Sequence, residues 1–145
     1  MNDLKSSYLS SFAPWVESGD LALDYDYWRL LQTIESRYPI VGSNIDWSGV
    51  PEAISAGEMG LKESRRKFQG WFGEIAERFS LVGPVCVVGD GPVEIGVVGS
   101  LDAIVQQLPL LASLPQHTYV FAYPDGDWCA SLAFEGWMDF GYAVR

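Results

Sequence analysis

The chain has 145 residues, 19 acidic and 9 basic side chains, a formal net charge of −10 and a hydrophobic share of 48%. Its length suits one domain with its own core, and the hydrophobic share excludes a disordered acidic tail. An acidic surface repels phosphate groups, which argues against direct nucleic-acid binding and against binding to anionic membranes. The sequence has neither a signal-peptide pattern nor the roughly 20 continuous apolar residues of a membrane span, so we expect a cytoplasmic protein.

The first part of the sequence is predicted to be helical. Apolar side chains recur at three- and four-residue spacing over residues 27–38 and 61–79, which places each set on one helix face. Pro39 is expected to end the first of these helices, and a shorter amphipathic helix is expected to stop near Pro14. Residues 40–60 contain five glycines or prolines and are predicted to form a loop with at most one short helix.

From about residue 81 the apolar pattern changes to the two-residue period of β-strands. Two strands that are apolar on both faces flank a turn at residues 89–92, which predicts a hairpin in the middle of a sheet. Ser100 is the expected N-cap of a following helix, which Pro109 should kink or end. Three further strands are predicted at residues 117–123, 128–134 and 138–144.

The sequence therefore predicts an α+β fold in a single domain over residues 1–145. N-terminal helices, in a part that covers about residues 1–80, would pack on an antiparallel sheet of about five strands. That sheet, from about residue 81 to 145, would consist of a hairpin, a helix and a three-stranded meander.

The turns of the meander predict a register. A four-residue turn at 124–127 and a three-residue turn at 135–137 would place the large apolar side chains of all three strands on one face. The predicted pairs are Tyr123 with Trp128, Phe121 with Ala130, Phe134 with Met138 and Leu132 with Phe140. The opposite face would then be flat and made of small residues, with acids at its ends.

No arrangement in the sequence predicts a catalytic or metal site. His117 is the only histidine, and Cys86 and Cys129 lie in strand-like apolar stretches, which is too few ligands for a structural zinc site and indicates no nucleophilic triad. Residues 125–127 match the start of a calcium loop but lack its later ligands. We therefore predict no catalytic residue, no metal and no cofactor.

Acidic excess combined with many aromatic residues favours a protein that binds a protein partner. The six tryptophans and seven tyrosines exceed what one small core needs. Aromatic anchors supply affinity at interfaces, and unpaired carboxylates speed the encounter with a basic partner. The predicted partner-binding residues are Asp125, Asp127, Glu135, Asp139 and the anchor Trp137 on the meander, with Asp90 and Glu94 on the hairpin. An alternative surface is the region of Asp20, Asp24, Asp26 and Asp46.

Residues 123–140 are the stretch that most suggests a family: a Pro-Asp-Gly-Asp turn precedes a strand pair with aromatic and acidic positions. In this stretch and in its overall profile the chain resembles the immunity proteins that bacteria make against their own secreted or contact-delivered toxins. The resemblance implies a stoichiometric inhibitor that covers the active site of a cognate toxin domain, often a basic nuclease. Two other classes stay open: a small-ligand-binding or regulatory module with a pocket between the helices and the aromatic face of the sheet, and a hydrolase that uses carboxylates alone.

Overall fold

A seven-stranded antiparallel sheet forms the centre of the protein, in a computed structural model that describes residues 3–58 and 60–145. The strands are β1 (Leu21–Asp24), β2 (Ile40–Val41), β3 (Asn44–Ile45), β4 (Ile54–Glu58), β5 (Val85–Gly89), β6 (Gly96–Gly99), β7 (Thr118–Ala122), β8 (Trp128–Leu132) and β9 (Trp137–Tyr142). The helices are α1 (Asp3–Ser11), α2 (Ala13–Glu17), α3 (Tyr27–Arg37), α4 (Leu61–Arg78) and α5 (Leu101–Leu111), with a short 3-10 helix at Trp47–Gly49. The predicted α+β class is confirmed.

The sheet order is β1-β6-β5-β7-β8-β9-β4, while β2 and β3 form a separate small hairpin. The sheet has two strands more than the five expected, and both come from the N-terminal part, about residues 1–80, for which only helices and loops were predicted; β4 lies in the predicted loop of residues 40–60. β1 pairs with β6 and β4 pairs with β9, so these two strands form the two edges. Each is too short to show a clear two-residue period, and the Ser-Ala-Gly sequence inside β4 has low strand propensity.

Helices or loops cover both faces of the sheet. One face packs against α1, α4 and α5 and holds the larger core, which includes Phe68, Phe72, Val87, Leu108 and Phe140. The other face packs against α3, the β2–β3 hairpin and the 3-10 helix, with Tyr38, Cys86, Tyr119, Phe121 and Cys129 in a second core. All five residues of β5 are buried, which confirms the central position predicted for its hairpin. Within the described ranges, no helix is long and apolar enough to span a membrane.

The pairing of β7 with β8 differs by one residue from the predicted register. Phe121 lies opposite Cys129 rather than Ala130. Tyr123 leaves the β7–β8 ladder and donates its backbone N–H to the carbonyl of Pro84 at 3.0 Å. The connecting loop therefore has five residues rather than four, and a shift of one residue turns the side chains of β7 to the other face.

This shift removes the flat, small-residue face that the sequence predicted. Tyr119 and Phe121 lie on that face, and α3 and the 3-10 helix cover it. The indole N–H of Trp47 donates to the hydroxyl of Ser131 at 3.1 Å across this layer. The β8–β9 register differs from the prediction by two residues, with Leu132 opposite Met138, so the aromatic face of these two strands is as predicted.

Two prolines stand inside helices. The first short helix, α1, ends at Ser11, near Pro14 as expected, but Pro14 itself lies in the first turn of a further helix, α2, where the backbone N–H that proline lacks would have no partner within the helix. Pro109 lies inside α5, where it removes the N–H that would bond the carbonyl of Val105. The side-chain amide of Gln69 on α4 donates to that carbonyl at 2.9 Å, so a neighbouring helix satisfies the group that the proline leaves open.

Candidate acidic–aromatic interface

Four of the seven predicted partner-binding residues lie at one end of the sheet: Asp90, Glu94, Glu135 and Trp137. Hydrogen bonds connect the elements that carry them. The backbone N–H of His117 donates to Asp90 Oδ1 at 3.0 Å, and the N–H of Asp90 donates to the carbonyl of His117 at 3.1 Å. His117 Nδ1 in turn accepts the backbone N–H of Phe134 at 2.9 Å. The end of β5 is thereby joined to the β8–β9 turn.

The β8–β9 turn is held against the start of α4. The buried hydroxyl of Ser64 donates a short hydrogen bond to the carbonyl of Gly136. Gly136 has φ +102°, and a Cβ at this position would lie 2.5 Å from the backbone of Gly60. Only glycine fits both constraints. The turn therefore presents Phe134, 52% exposed, and Trp137, 42% exposed, in fixed positions.

A groove that the sequence did not predict adjoins Asp90. It lies between α3 and the β2–β3 hairpin, has a volume of about 230 Å³, and is lined by residues that include Trp28, Leu31, Glu35, Ile40, Asp90 and Tyr119. Trp28 is 70% exposed. A signal was present in the sequence, because Trp28 falls outside the apolar stripe that α3 turns toward the core.

We call the residues at this end of the sheet the acidic–aromatic surface; they are Trp28, Glu35, Asp90, Glu94, Phe134, Glu135 and Trp137. Among residues 3–58 and 60–145, none of its four carboxylates forms an ion pair. The negative electrostatic field of two of these carboxylates extends to a buried tyrosine of the neighbouring core. The pKa of Tyr27, whose hydroxyl donates to the carbonyl of Gly89 at 2.9 Å, is raised by burial and then by the charges of Asp90 and Glu94.

The other three predicted partner-binding residues do not belong to this surface. Asp125 and Asp127 lie at the opposite end of the sheet, in the β7–β8 loop, where Arg37 Nη1 contacts the carbonyl of Asp125 at 2.8 Å and Asp127 Oδ1 at 2.9 Å. Asp139 is only 8% exposed and lies in β9 opposite Ser55 and Ser131. Burial raises the pKa of Asp139, although a hydrogen bond with Ser55 opposes that shift.

In the alternative acidic region, Asp20 and Asp46 accept hydrogen bonds from serine hydroxyls and form no ion pair among the described residues, whereas Asp24 and Asp26 share one arginine. Arg29 contacts Asp24 at 2.8 Å and Asp26 at 2.9 Å. Burial opposes ionisation of Asp24, but hydrogen bonds from the Asp26 N–H, from the Tyr123 hydroxyl and from Arg29 outweigh it and lower its pKa. Asp24 and Asp26 thus have a cationic partner within the chain, unlike the carboxylates of the acidic–aromatic surface.

The remaining reactive groups are inaccessible or already engaged. Cys86 and Cys129 are free and buried, and burial raises the pKa of both thiols. No three side chains of the types that bind metals come together in the part of the chain that the structure describes. The exposed chemistry of the acidic–aromatic surface is therefore aromatic and anionic, and the basic side chains Lys62, Arg66 and Lys67 at the start of α4 adjoin it on the side of the β8–β9 turn.

A second cavity, of about 510 Å³, lies at the opposite end of the sheet beside the end of α4. Three aromatic rings line it, with centroids 5.2 Å apart for Phe79 and Phe140 and 5.5 Å apart for Phe140 and Tyr142. Arg78 stands over the ring of Phe79 at 5.1 Å. Arg78 makes no ion pair with any carboxylate among the described residues.

Comparison with known proteins identifies no relative from which a function follows. A scan against protein-family models finds no matching family, and a search of curated proteins finds no significant match. The functional argument therefore depends on the residues of this chain and on the surfaces they form.

Proposed function

We propose that this protein is an immunity protein that binds a cognate bacterial toxin and blocks its active site in a one-to-one complex. The observation that supports it is the coincidence of three exposed aromatic side chains with four unpaired carboxylates on the acidic–aromatic surface. Aromatic side chains are the usual anchors of tight interfaces, and carboxylates that lack a partner in the free protein keep their charge available for a basic one.

The proposed target is a basic toxin domain, such as a nuclease. A nuclease cleft attracts phosphate groups with lysine and arginine side chains, so carboxylates placed in that cleft take the positions of phosphates. Elements of the sheet and α3 hold the aromatic anchors before binding, which lowers the entropy cost of association. The complex would form in the cytoplasm of the cell that makes the toxin.

The test begins with a tagged pull-down from lysate of the native host at low and moderate salt, followed by intact-mass analysis. We expect a basic protein at one-to-one stoichiometry, held more weakly as salt rises, whose activity falls to zero when an equal amount of this protein is added. Recovery of no basic partner, or of one whose activity is unchanged, would contradict the proposal.

Two alanine variants locate the interface. Trp137→Ala is expected to weaken inhibition about 30-fold, since an anchor residue is worth about 2 kcal/mol or more. Tyr142→Ala is the matched control, because Tyr142 is similarly exposed, at 47%, but lies at the opposite end of the sheet. Equal losses in the two variants would place the interface elsewhere.

A second candidate function, a ligand-binding module, is favoured by the cavity beside Arg78. Its volume of about 510 Å³ lies within the range of roughly 300–1,000 Å³ typical of small-molecule sites. Aromatic walls and the Arg78 cation suit an aromatic carboxylate that contacts Arg78 on the side away from Glu52, which also lines the cavity. This function predicts a saturable thermal shift with such a compound that Arg78→Gln removes and that Arg66→Gln, on the exposed face of α4, does not.

A further inference from the structure

We propose that the groove beside Trp28 receives a single arginine side chain of the protein partner. This inference rests on the proposed function and names the chemistry by which the acidic–aromatic surface recognises its target. The size of the groove is the first argument. Its volume of about 230 Å³ is below the roughly 300–1,000 Å³ typical of sites for free small molecules, so it suits one side chain better than a metabolite.

The walls of the groove suit a long aliphatic stem that ends in a planar cation. Leu31, Ile34 and Ile40 provide apolar surface for the methylene groups. Trp28 stands at the groove with 70% of its surface exposed, and an edge-to-face contact with Tyr27, at 5.1 Å between ring centroids, orients the indole. A cation over the face of tryptophan is more favourable than over any other aromatic ring.

The charges of the groove are negative and uncompensated. Glu35 and Asp90 line it, and neither has a cationic partner within the described part of the chain. Both arginines of α3 are engaged elsewhere, Arg29 by Asp24 and Asp26 and Arg37 by the β7–β8 loop. The hydroxyl of Tyr119 donates to the carbonyl of Ser43 at 2.7 Å, so this hydroxyl does not donate to Glu35 or Asp90. A cation from outside is the missing partner.

Arginine fits these features better than lysine. Its guanidinium is planar, stacks on an indole and can donate to two carboxylates at once, whereas the lysine ammonium is a compact, strongly hydrated charge. The negative field at the base of the groove favours a cation in general, and its effect is seen on Tyr119, whose pKa is raised by burial and then by the charges of Asp90 and other groups, including Glu35.

The test uses two tripeptides whose ends are blocked and uncharged. One is acetyl-Gly-Arg-Gly-amide, and the other has citrulline in place of arginine, which keeps the shape of the side chain but not its charge. Each is titrated into ¹⁵N-labelled protein and followed by NMR. We expect the arginine peptide to shift the Trp28 indole resonance and the amides of Gly42 and Asp90 saturably, and added salt to weaken the binding. The citrulline peptide should bind at least about tenfold more weakly.

Variants then separate a groove-specific effect from general charge attraction. Trp28→Ala and Glu35→Gln are each expected to weaken binding of the arginine peptide about three- to tenfold. Glu74→Gln on the exposed face of α4 removes the same charge away from the groove and should leave binding unchanged. Both Trp28 and Glu35 are exposed, so these changes leave the core intact. Equal binding of the two peptides, shifts outside the groove, or equal losses in Glu35→Gln and Glu74→Gln would overturn the inference.

The inference and the proposed function fail in distinguishable ways. If the arginine peptide does not occupy the groove while a toxin is still inhibited through Trp137, the proposed function stands and the arginine site is wrong. If the peptide occupies the groove as expected while no basic partner is inhibited, the arginine site stands and the immunity function is wrong.

Discussion

Asp139 shows how the surroundings of one residue decide its role. The predicted register placed Asp139 near the end of the flat, small-residue face of the meander, at the acidic rim of a binding face, yet its side chain is buried and lies opposite Ser55 and Ser131. Burial raises its pKa, because the charged form loses solvation that one hydrogen bond from Ser55 does not replace. Ionised Asp139 therefore lowers the stability of the folded state at neutral pH and does not contact a partner.

The raised pKa predicts a pH-dependent stability difference. The folded state binds the Asp139 proton more tightly than the unfolded state does. The protonated side chain therefore stabilises the fold below the ordinary carboxyl pKa, and this stabilisation is lost as the pH rises through the raised pKa of the folded state. Asp139→Asn should melt at a higher temperature than the wild type at pH 7, and the gap should close toward pH 4. Ser55→Ala should lower the melting temperature at pH 7. A variant Asp139→Asn that is less stable at every pH would contradict this reasoning.

The pair of α4 and α5 shows how elements compensate each other. Proline inside a helix costs about 3 kcal/mol or more, partly because one carbonyl loses its donor. Gln69 supplies the donor from α4, with a second, longer contact of 3.3 Å to the carbonyl of Gln106. The helix α5 does not end at Pro109 but continues for two further residues, to Leu111.

Removal of this side chain tests the compensation. Gln69→Leu is expected to destabilise the protein by about 1–2 kcal/mol, since it leaves a carbonyl without a partner in a half-buried contact. The double change Gln69→Leu with Pro109→Ala restores the backbone donor and should recover most of that loss. Chemical denaturation of the wild type, both single variants and the double variant measures the coupling. Purely additive effects would show that the two residues act independently.

At the scale of the whole molecule, the excess of acids is unevenly used. Within the described residues, the ion pairs engage Asp24, Asp26, Glu63 and Asp127. The four carboxylates of the acidic–aromatic surface form no ion pair within that part of the chain, and neither do others elsewhere, such as Asp20, Asp46, Glu74 and Glu77. The unpaired carboxylates that lie beside exposed aromatic side chains would attract a basic partner to the acidic–aromatic surface.

The steering predicts a difference between two sets of charge reversals. Glu94→Lys with Glu135→Lys should slow association with the toxin about tenfold at low salt and flatten its salt dependence. Glu74→Lys with Glu77→Lys on α4 changes the net charge by the same amount and is expected to have a much smaller effect. Stopped-flow or surface-plasmon measurements at several salt concentrations give both rates. Equal effects of the two double variants would indicate attraction by overall charge alone.

Sequence reasoning reached about half of the candidate site. Glu135 lies in the β8–β9 turn and Trp137 begins β9 directly after it, and Asp90 follows a strand of apolar residues and glycine, so the end of the sheet at which these residues lie was predictable. Asp125 and Asp127 were separated from them because antiparallel strands place consecutive turns at opposite ends of a sheet. Trp28 was missed, because whether a tryptophan of an amphipathic helix is exposed depends on which neighbours cover its side of the helix.

The sequence by itself determined α3, α4, the cap of α5 and the central position of β5, because helix periodicity, capping and doubly apolar runs are local properties of adjacent residues. Only the tertiary structure decided the edges of the sheet, the register of β7 and the end at which aromatic and acidic side chains meet. β1 and β4 become strands because β6 and β9 offer them backbone partners, and the faces of β7 follow from its pairing with both β5 and β8, which places Phe121 opposite both Cys86 and Cys129. These are contacts between segments far apart in the chain, which no local pattern encodes.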